Sequence, residues 1–159
     1  MFGGSNYYDS NPMGDTWEFD LGPTAGYTTF GTGCLGQNGR PVISAAGTEV
    51  PRTGSTFHLS VTNLPFTGPA FLYLGLSNTN YLGYPLPLDL SFLGANNCPL
   101  FCSCESLQVL PNVLGSSTWS FAIPPLPGAV FFNQAIALDP SANNLGLTTS
   151  NGGRGVIGL

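Results

Sequence analysis

Apolar and polar residues alternate strictly through residues 55–63, which read STFHLSVTN. Phe57, Leu59 and Val61 fall on one face of this stretch, and the residues between them are polar. A period of two residues is typical of a β-strand with one face in a core and the other in solvent. The stretch therefore predicts a half-buried strand.

The same alternation returns in residues 117–123 (STWSFAI), whose aromatic residues share one face. Residues 69–77 and 129–138 are apolar on both faces, which predicts central or covered strands. Turns rich in Gly, Pro and Asn separate these segments from six further candidate strands, at residues 27–30, 41–45, 86–90, 99–109, 145–149 and 155–159. Many short strands at such spacing predict an all-β fold, an antiparallel β-sandwich or jelly roll of about eight strands.

Charged residues make up only 7% of the 159 residues, against roughly 25% in an ordinary soluble domain. The net charge is −5, and the three basic residues are Arg40, Arg52 and Arg154. Three cations are too few to neutralise the phosphates along a nucleic acid, and we therefore expect no nucleic-acid partner. The sequence contains no run of 18 apolar residues, so we expect no membrane span. Weak repulsion between copies favours self-association.

Four cysteines, Cys34, Cys98, Cys102 and Cys104, are candidates for two disulfides. The single histidine is too distant in sequence to complete a zinc site with them, and no cofactor or metal is expected. Four cysteines allow three disulfide connectivities, and a Cys102–Cys104 bridge would need a local bend. The alternative is four free core cysteines. Disulfides favour an oxidising compartment, so we predict an extracellular protein, either secreted or on the cell surface.

The first 26 residues differ from the rest and are predicted to form an N-terminal arm on a sandwich domain of residues 27–159. They carry four of the eight acidic residues and no basic residue. Residues 16–21 (TWEFDL) alternate strictly, which predicts an amphipathic extension strand with Trp17, Phe19 and Leu21 on its apolar face. The candidate subunit-binding residues are those of this strand: Thr16, Trp17, Glu18, Phe19, Asp20 and Leu21.

Such a strand is suited to β-strand addition, in which it fills a groove of a neighbouring subunit and completes that subunit's sheet. One arm and one groove per subunit make a heterologous contact, which propagates into a filament unless it closes into a ring. The arm therefore predicts a homopolymer, a fibril of copies joined head to tail. The alternatives are a strand that folds back onto its own sandwich and an arm that stays disordered.

Several short motifs in residues 27–159 occur in the order found in a family of secreted domains. They are Phe30-Gly31-Thr32-Gly33-Cys34, Leu86-Pro87-Leu88-Asp89-Leu90, Asn97-Cys98, Gly128 with Gln134 and Leu138-Asp139, and Ser150-Asn151-Gly152. Together they resemble the secreted β-sandwich domain of planctomycete-type and myxobacterial surface proteins. The resemblance implies an extracellular bacterial β-sandwich in which Cys34 and Cys98 are the shared cysteines, and it carries no catalytic residues. The arm lies outside it and is similar to the donor segment of extracellular fibril subunits.

No catalytic set can be assembled from the sequence, so the chain is predicted not to be an enzyme. His58 is the only histidine, its sequence neighbours are apolar, and no Gly-x-Ser-x-Gly motif is present. Tyrosines in loop-like sequence are candidate glycan contacts: Tyr7, Tyr8, Tyr81 and Tyr84. They favour a second hypothesis, an extracellular carbohydrate-binding or adhesion module with the arm folded in cis. Asn-x-Ser/Thr sequons are absent, which leaves only O-linked glycans as expected modifications.

Overall fold

The structure is a computed structural model and describes residues 22–159. This part of the chain contains twelve β-strands and one short 3-10 helix, Leu90–Leu93. The strands are β1 Gly26–Phe30, β2 Val42–Ala45, β3 Thr56–Thr62, β4 Ala70–Gly75, β5 Asn80–Tyr81, β6 Tyr84–Pro85, β7 Leu88–Asp89, β8 Pro99–Leu100, β9 Ser106–Leu110, β10 Ser117–Ala122, β11 Val130–Leu138 and β12 Leu147–Val156. The predicted extension strand at residues 16–21 lies outside the described residues. No helix in the described part is long and apolar enough to cross a membrane.

Two antiparallel sheets form the body of the domain. The larger has five strands in the order β1-β12-β11-β4-β9, and the smaller has three in the order β10-β3-β2. Two further ribbons pair β5 with β6 and β7 with β8. The two main sheets together hold eight strands and share one core, so the prediction of an all-β sandwich is confirmed.

The main core lies between the two sheets. Phe57, Leu59 and Val61 of β3 are fully buried, as their alternation predicts. Trp119 and Phe121 of β10 pair with Leu59 and Phe57 and pack on the same core. The five-stranded sheet contributes smaller apolar side chains from β4, β9 and β11, namely Ala70, Leu72, Leu110, Ala135 and Ala137. Each large apolar side chain buried here contributes about 1.5–3 kcal/mol to stability.

A second apolar cluster covers the opposite face of the five-stranded sheet. It joins Ile136 of β11 to Leu90, Leu100 and the Cys34–Cys98 disulfide. The covering layer comes from the excursion between β4 and β9, which carries both ribbons and the 3-10 helix. β11 is therefore central in its sheet and buried on both faces, as its doubly apolar sequence predicts.

The prediction of two strands near the C-terminus is wrong. The candidates at residues 145–149 and 155–159 both contribute to a single ten-residue strand, β12. Gly152, Gly153 and Gly155 lie inside this strand, although glycine usually weakens the interior of a strand. Strand continuity comes from its two neighbours, because β12 pairs with β1 on one side and β11 on the other.

Aromatic rings explain why these positions are glycines. A ring lies over each of them, in three pairs: Phe30 over Gly152, Tyr27 over Gly153 and Phe131 over Gly155. The rings come from the flanking strands β1 and β11 and cover backbone that a side chain would otherwise occupy. The glycines therefore mark close cross-strand packing and not a turn.

We expect Gly155→Ala to destabilise the domain by about 1–3 kcal/mol, as overpacking of a core does. A methyl group there would collide with the ring of Phe131. Gly26→Ala is the matched control, because it adds the same group to a strand position with no heavy atom within 4 Å. The measurement is equilibrium unfolding in urea, and equal stabilities for the two variants would contradict the packing argument.

The candidate strand at residues 99–109 is interrupted in the structure and becomes β8 and β9. Ser103 lies in the break, where its backbone N–H donates to the carbonyl of Ser77 at 2.9 Å. Its hydroxyl accepts from the N–H groups of Leu76 and Ser77 at 3.2 and 3.0 Å. These bonds draw the chain away from the strand path and toward the end of β4.

The candidate strand at residues 86–90 is also shorter than predicted, since only Leu88–Asp89 forms β7. The Asp89 carboxylate accepts from the N–H of Ser91 at 2.9 Å and caps the 3-10 helix that follows. Hydrogen bonds from the Ser91 hydroxyl, at 2.6 Å, and from the same N–H hold the pKa of Asp89 below its usual value. A side-chain cap therefore ends the strand.

Candidate functional site

Within residues 22–159 each side of the sandwich is bounded by two edge strands, β1 and β2 on one side and β9 and β10 on the other. In the described residues, β9 pairs only with β4, and β10 pairs only with β3. The two strands belong to different sheets and lie near each other, so their free edges border the same opening. Unpaired edges are templates for pairing with another strand, and lysine, a common guard against it, is absent from the chain.

An apolar groove of about 290 Å³ opens at this side, near the end of β4 and the start of β9 and β11. It is lined by Leu74, Gly75, Leu76, Glu105, Ser106, Phe121, Pro124, Leu126, Ala129, Val130, Phe131 and Ile157. Only two of these residues, Glu105 and Ser106, have polar side chains. The groove therefore suits apolar side chains and offers little to a polar ligand.

The groove exposes part of the main core. Leu74, Phe121 and Phe131 belong to that core but are only half-buried. The Phe121 ring packs edge-on against Phe131 at 5.5 Å and against Phe57 at 5.9 Å, between ring centroids. The ring of Trp119, which is also half-buried, lies 5.0 Å from the ring of Phe121, between centroids. An aromatic cluster of the core is thus left open on one side.

The N-terminal end of the described chain lies at the rim of this groove. Pro23 lies against Gly128, and Gly22 lies against the side chain of Leu159. Gly128 is in the turn that separates Leu126 from Ala129, and its N–H donates to the carbonyl of Ile157 at 2.7 Å. Residues 16–21 precede this point directly in the sequence but lie outside the described residues.

The structure places two of the four predicted glycan contacts. Tyr81 and Tyr84 face each other across the β5–β6 ribbon. Tyr84 is 62% exposed, whereas Tyr81 packs against the second apolar cluster. Tyr7 and Tyr8 lie outside the described residues. Only Tyr84 therefore presents a broadly accessible ring among the two tyrosines that can be placed.

The cysteines behave as two different pairs. Cys34 and Cys98 form a buried disulfide, and the backbone N–H of Thr149 donates to the Cys34 sulfur at 3.3 Å. Cys102 and Cys104 are free thiols, so the prediction that all four cysteines are in disulfides is wrong. The hydrogen bonds of Ser103 to the 76–77 backbone hold the intervening residue and oppose the local bend that a Cys102–Cys104 bridge needs.

We expect alkylation to detect two thiols when the protein is unfolded without reductant, and four after reduction. In the native protein at neutral pH, Cys102 should resist iodoacetamide, because burial raises its pKa to about 12 and the thiolate is the nucleophile. Mass spectrometry of the labelled peptides measures this. The absence of thiols in the unfolded, unreduced protein would restore the two-disulfide prediction.

His58 lies on the outer face of β3, as its sequence position predicts. Its Nδ1 is 2.9 Å from a carboxylate oxygen of Glu49, and both side chains are exposed. The hydrogen bonds with His58 hold the pKa of Glu49 below its usual value. The arrangement is an exposed hydrogen bond between β3 and the loop that precedes it, and contacts of this kind contribute little to stability.

Sequence reasoning did not identify the groove, although it placed Phe121 on an inward face. The lining residues come from four separate stretches of the chain, 74–76, 105–106, 121–131 and 157, and only the packing of the two sheets brings them together. In the described residues no group of three or more His, Cys, Asp or Glu side chains is arranged to hold a metal ion. Comparison with known proteins finds no matching family model, no similar curated protein and no similar solved structure.

Proposed function

We propose that this protein is a structural subunit of an extracellular fibril, and that copies join head to tail by insertion of residues 16–21 into the next copy. The observation that carries the proposal is the open side of the sandwich, where β9 and β10 have free edges beside half-buried aromatic rings. A strand from another copy would pair with one of these edges and complete the core. The arm has the alternating sequence that such a strand requires.

The distribution of charge supports close stacking of copies. Residues 27–159 contain four acidic and three basic residues, so the sandwich is almost neutral, while the arm carries four acidic residues. A nearly neutral body adds little repulsion when many copies are packed side by side. The polar face of the arm, with Glu18 and Asp20, would remain toward solvent.

The disulfide supports an extracellular location. The Cys34–Cys98 bond is buried in the second apolar cluster, and such bonds persist in oxidising environments. A fibril subunit outside the cell needs no catalytic machinery, so we propose a non-enzymatic role.

A second candidate function is carbohydrate binding or adhesion with the arm folded in cis. The exposed ring of Tyr84 at the β5–β6 ribbon favours it, since aromatic rings stack on sugars, and Leu82 beside it is 80% exposed. Binding to a glycan array that is lost in Tyr84→Ala would support this function in place of the fibril.

Negative-stain microscopy of the purified full chain tests the proposal. We expect long, uniform filaments whose thickness is constant along their length. Dispersed particles of the size of one subunit, at every protein concentration tried, would contradict it.

A further inference from the structure

We infer that the groove between β4, β9, β10 and β11 is the acceptor site for the apolar face of the arm, Trp17, Phe19 and Leu21, supplied by a second copy. The inference rests on the proposed function and adds the place where one subunit holds the next.

The size and chemistry of the groove indicate that it holds side chains of a protein strand. The groove is an open apolar surface with a volume of about 290 Å³ beside the half-buried Leu74, Phe121 and Phe131, and such grooves accept the apolar side chains of a partner strand. Bulky apolar side chains would remove these rings from water, at about 25 cal/mol for each Å² covered.

The two polar lining residues offer hydrogen-bond acceptors to an indole that enters the groove. Buried tryptophan usually requires an acceptor for its N–H. Glu105 and Ser106 are at the β9 end of the groove, and the Glu105 carboxylate already accepts from the N–H of Leu76 at 2.9 Å. A carboxylate has further lone pairs, so it can accept from the Trp17 indole as well.

The reach of the arm restricts which groove it can fill. Six residues of extended chain span at most about 20 Å, so the strand at 16–21 must dock within that distance of Gly22. Since Gly22 and Pro23 lie at the rim of their own groove, an arm supplied in trans must bring Gly22 of one copy within that distance of the groove of the next.

The rim itself has the character of a protein interface. Leu76, Leu126 and Leu159 surround the groove and the start of the described chain, and they are 70%, 57% and 60% exposed. A strand folded into its own groove would fill the interior, but the leucines of the rim would stay in water. Exposed apolar side chains around a groove are typical of a surface that contacts another protein.

Photo-crosslinking in a mixture of isotopes tests the inference. Leu126 is replaced by p-benzoylphenylalanine in the full chain, which is prepared in a light (¹⁴N) and a heavy (¹⁵N) form. The two forms are mixed, unfolded together and refolded, so that they assemble at random. The assembled mixture is then irradiated. The matched control carries the same group at Phe66, which is 58% exposed and precedes the other end of β4. Mass spectrometry then locates the partner peptide and its isotope.

We expect cross-links from position 126 to residues 16–21, including pairs that join one light and one heavy chain. The control group at position 66 should form no cross-links to residues 16–21. Cross-links to the arm only within chains of one isotope would overturn the inference and place the arm in cis. Filaments without cross-links to the arm would overturn the groove assignment but leave the proposed function standing. Mixed pairs without filaments would support the groove and contradict the fibril.

Discussion

We expect the triple variant Trp17→Ser/Phe19→Ser/Leu21→Ser to remain a folded monomer that forms no filaments. Burial of each of these side chains is worth about 1.5–3 kcal/mol, so losing all three weakens the contact by at least a thousandfold, since about 1.4 kcal/mol is a factor of ten. The sandwich should still fold, because its two cores are formed by residues of the domain itself. The measurements are sedimentation and negative-stain microscopy, with near-UV circular dichroism to confirm folding.

The matched control changes the opposite face of the same strand. Glu18→Gln with Asp20→Asn keeps the size of both side chains and leaves the apolar residues in place, so filaments should persist. Filaments of unchanged length and number in the triple variant would show that the apolar face of the arm does not join the subunits.

Removing the disulfide, in Cys34→Ala/Cys98→Ala, should cost about 4 kcal/mol of unfolding free energy. The bond links residues separated by 64 positions, and the chain-entropy relation gives a loss of this order for such a loop. In a domain of this size the melting temperature should fall by roughly 10–15 °C. Thermal and urea unfolding of the monomeric triple variant, with and without the disulfide, measure the difference without interference from assembly.

Cys104→Ser is the control for this prediction. It also removes a sulfur, but from a free and partly exposed thiol that closes no loop, so stability should change by less than about 0.5 kcal/mol. An equal loss of stability in the control and in the disulfide variant would mean that the Cys34–Cys98 bond is not the constraint that stabilises the domain.

The alternation of single strands predicted much of the fold. The apolar faces of β3 and β10 and the central position of β11 follow from local sequence, because burial on one or both faces leaves a periodic signal. β12 was predicted as two separate strands, at residues 145–149 and 155–159, and its continuity through Gly152 and Gly153 was missed because glycine inside a strand normally weakens it. The rings that cover these glycines come from β1, which is distant in sequence, and from β11, whose pairing with β12 has no signal in the local sequence.

The candidate site was less accessible to sequence reasoning. The arm is visible as a local pattern at residues 16–21, but its acceptor is formed by residues from 74 to 157 that no local pattern connects. The second pair of cysteines was misassigned for a similar reason. Their spacing left pairing open, and the hydrogen bonds of Ser103 to backbone just after β4, 26 residues earlier, oppose it.

The most direct test of the head-to-tail contact is a helical reconstruction of the assembled filament by electron cryomicroscopy. We predict density for residues 16–21 in the groove of the adjacent subunit, with Trp17, Phe19 and Leu21 against Phe121 and Phe131. Density that runs from Gly22 back into the groove of the same subunit, or a groove left empty between contacting subunits, would contradict the account.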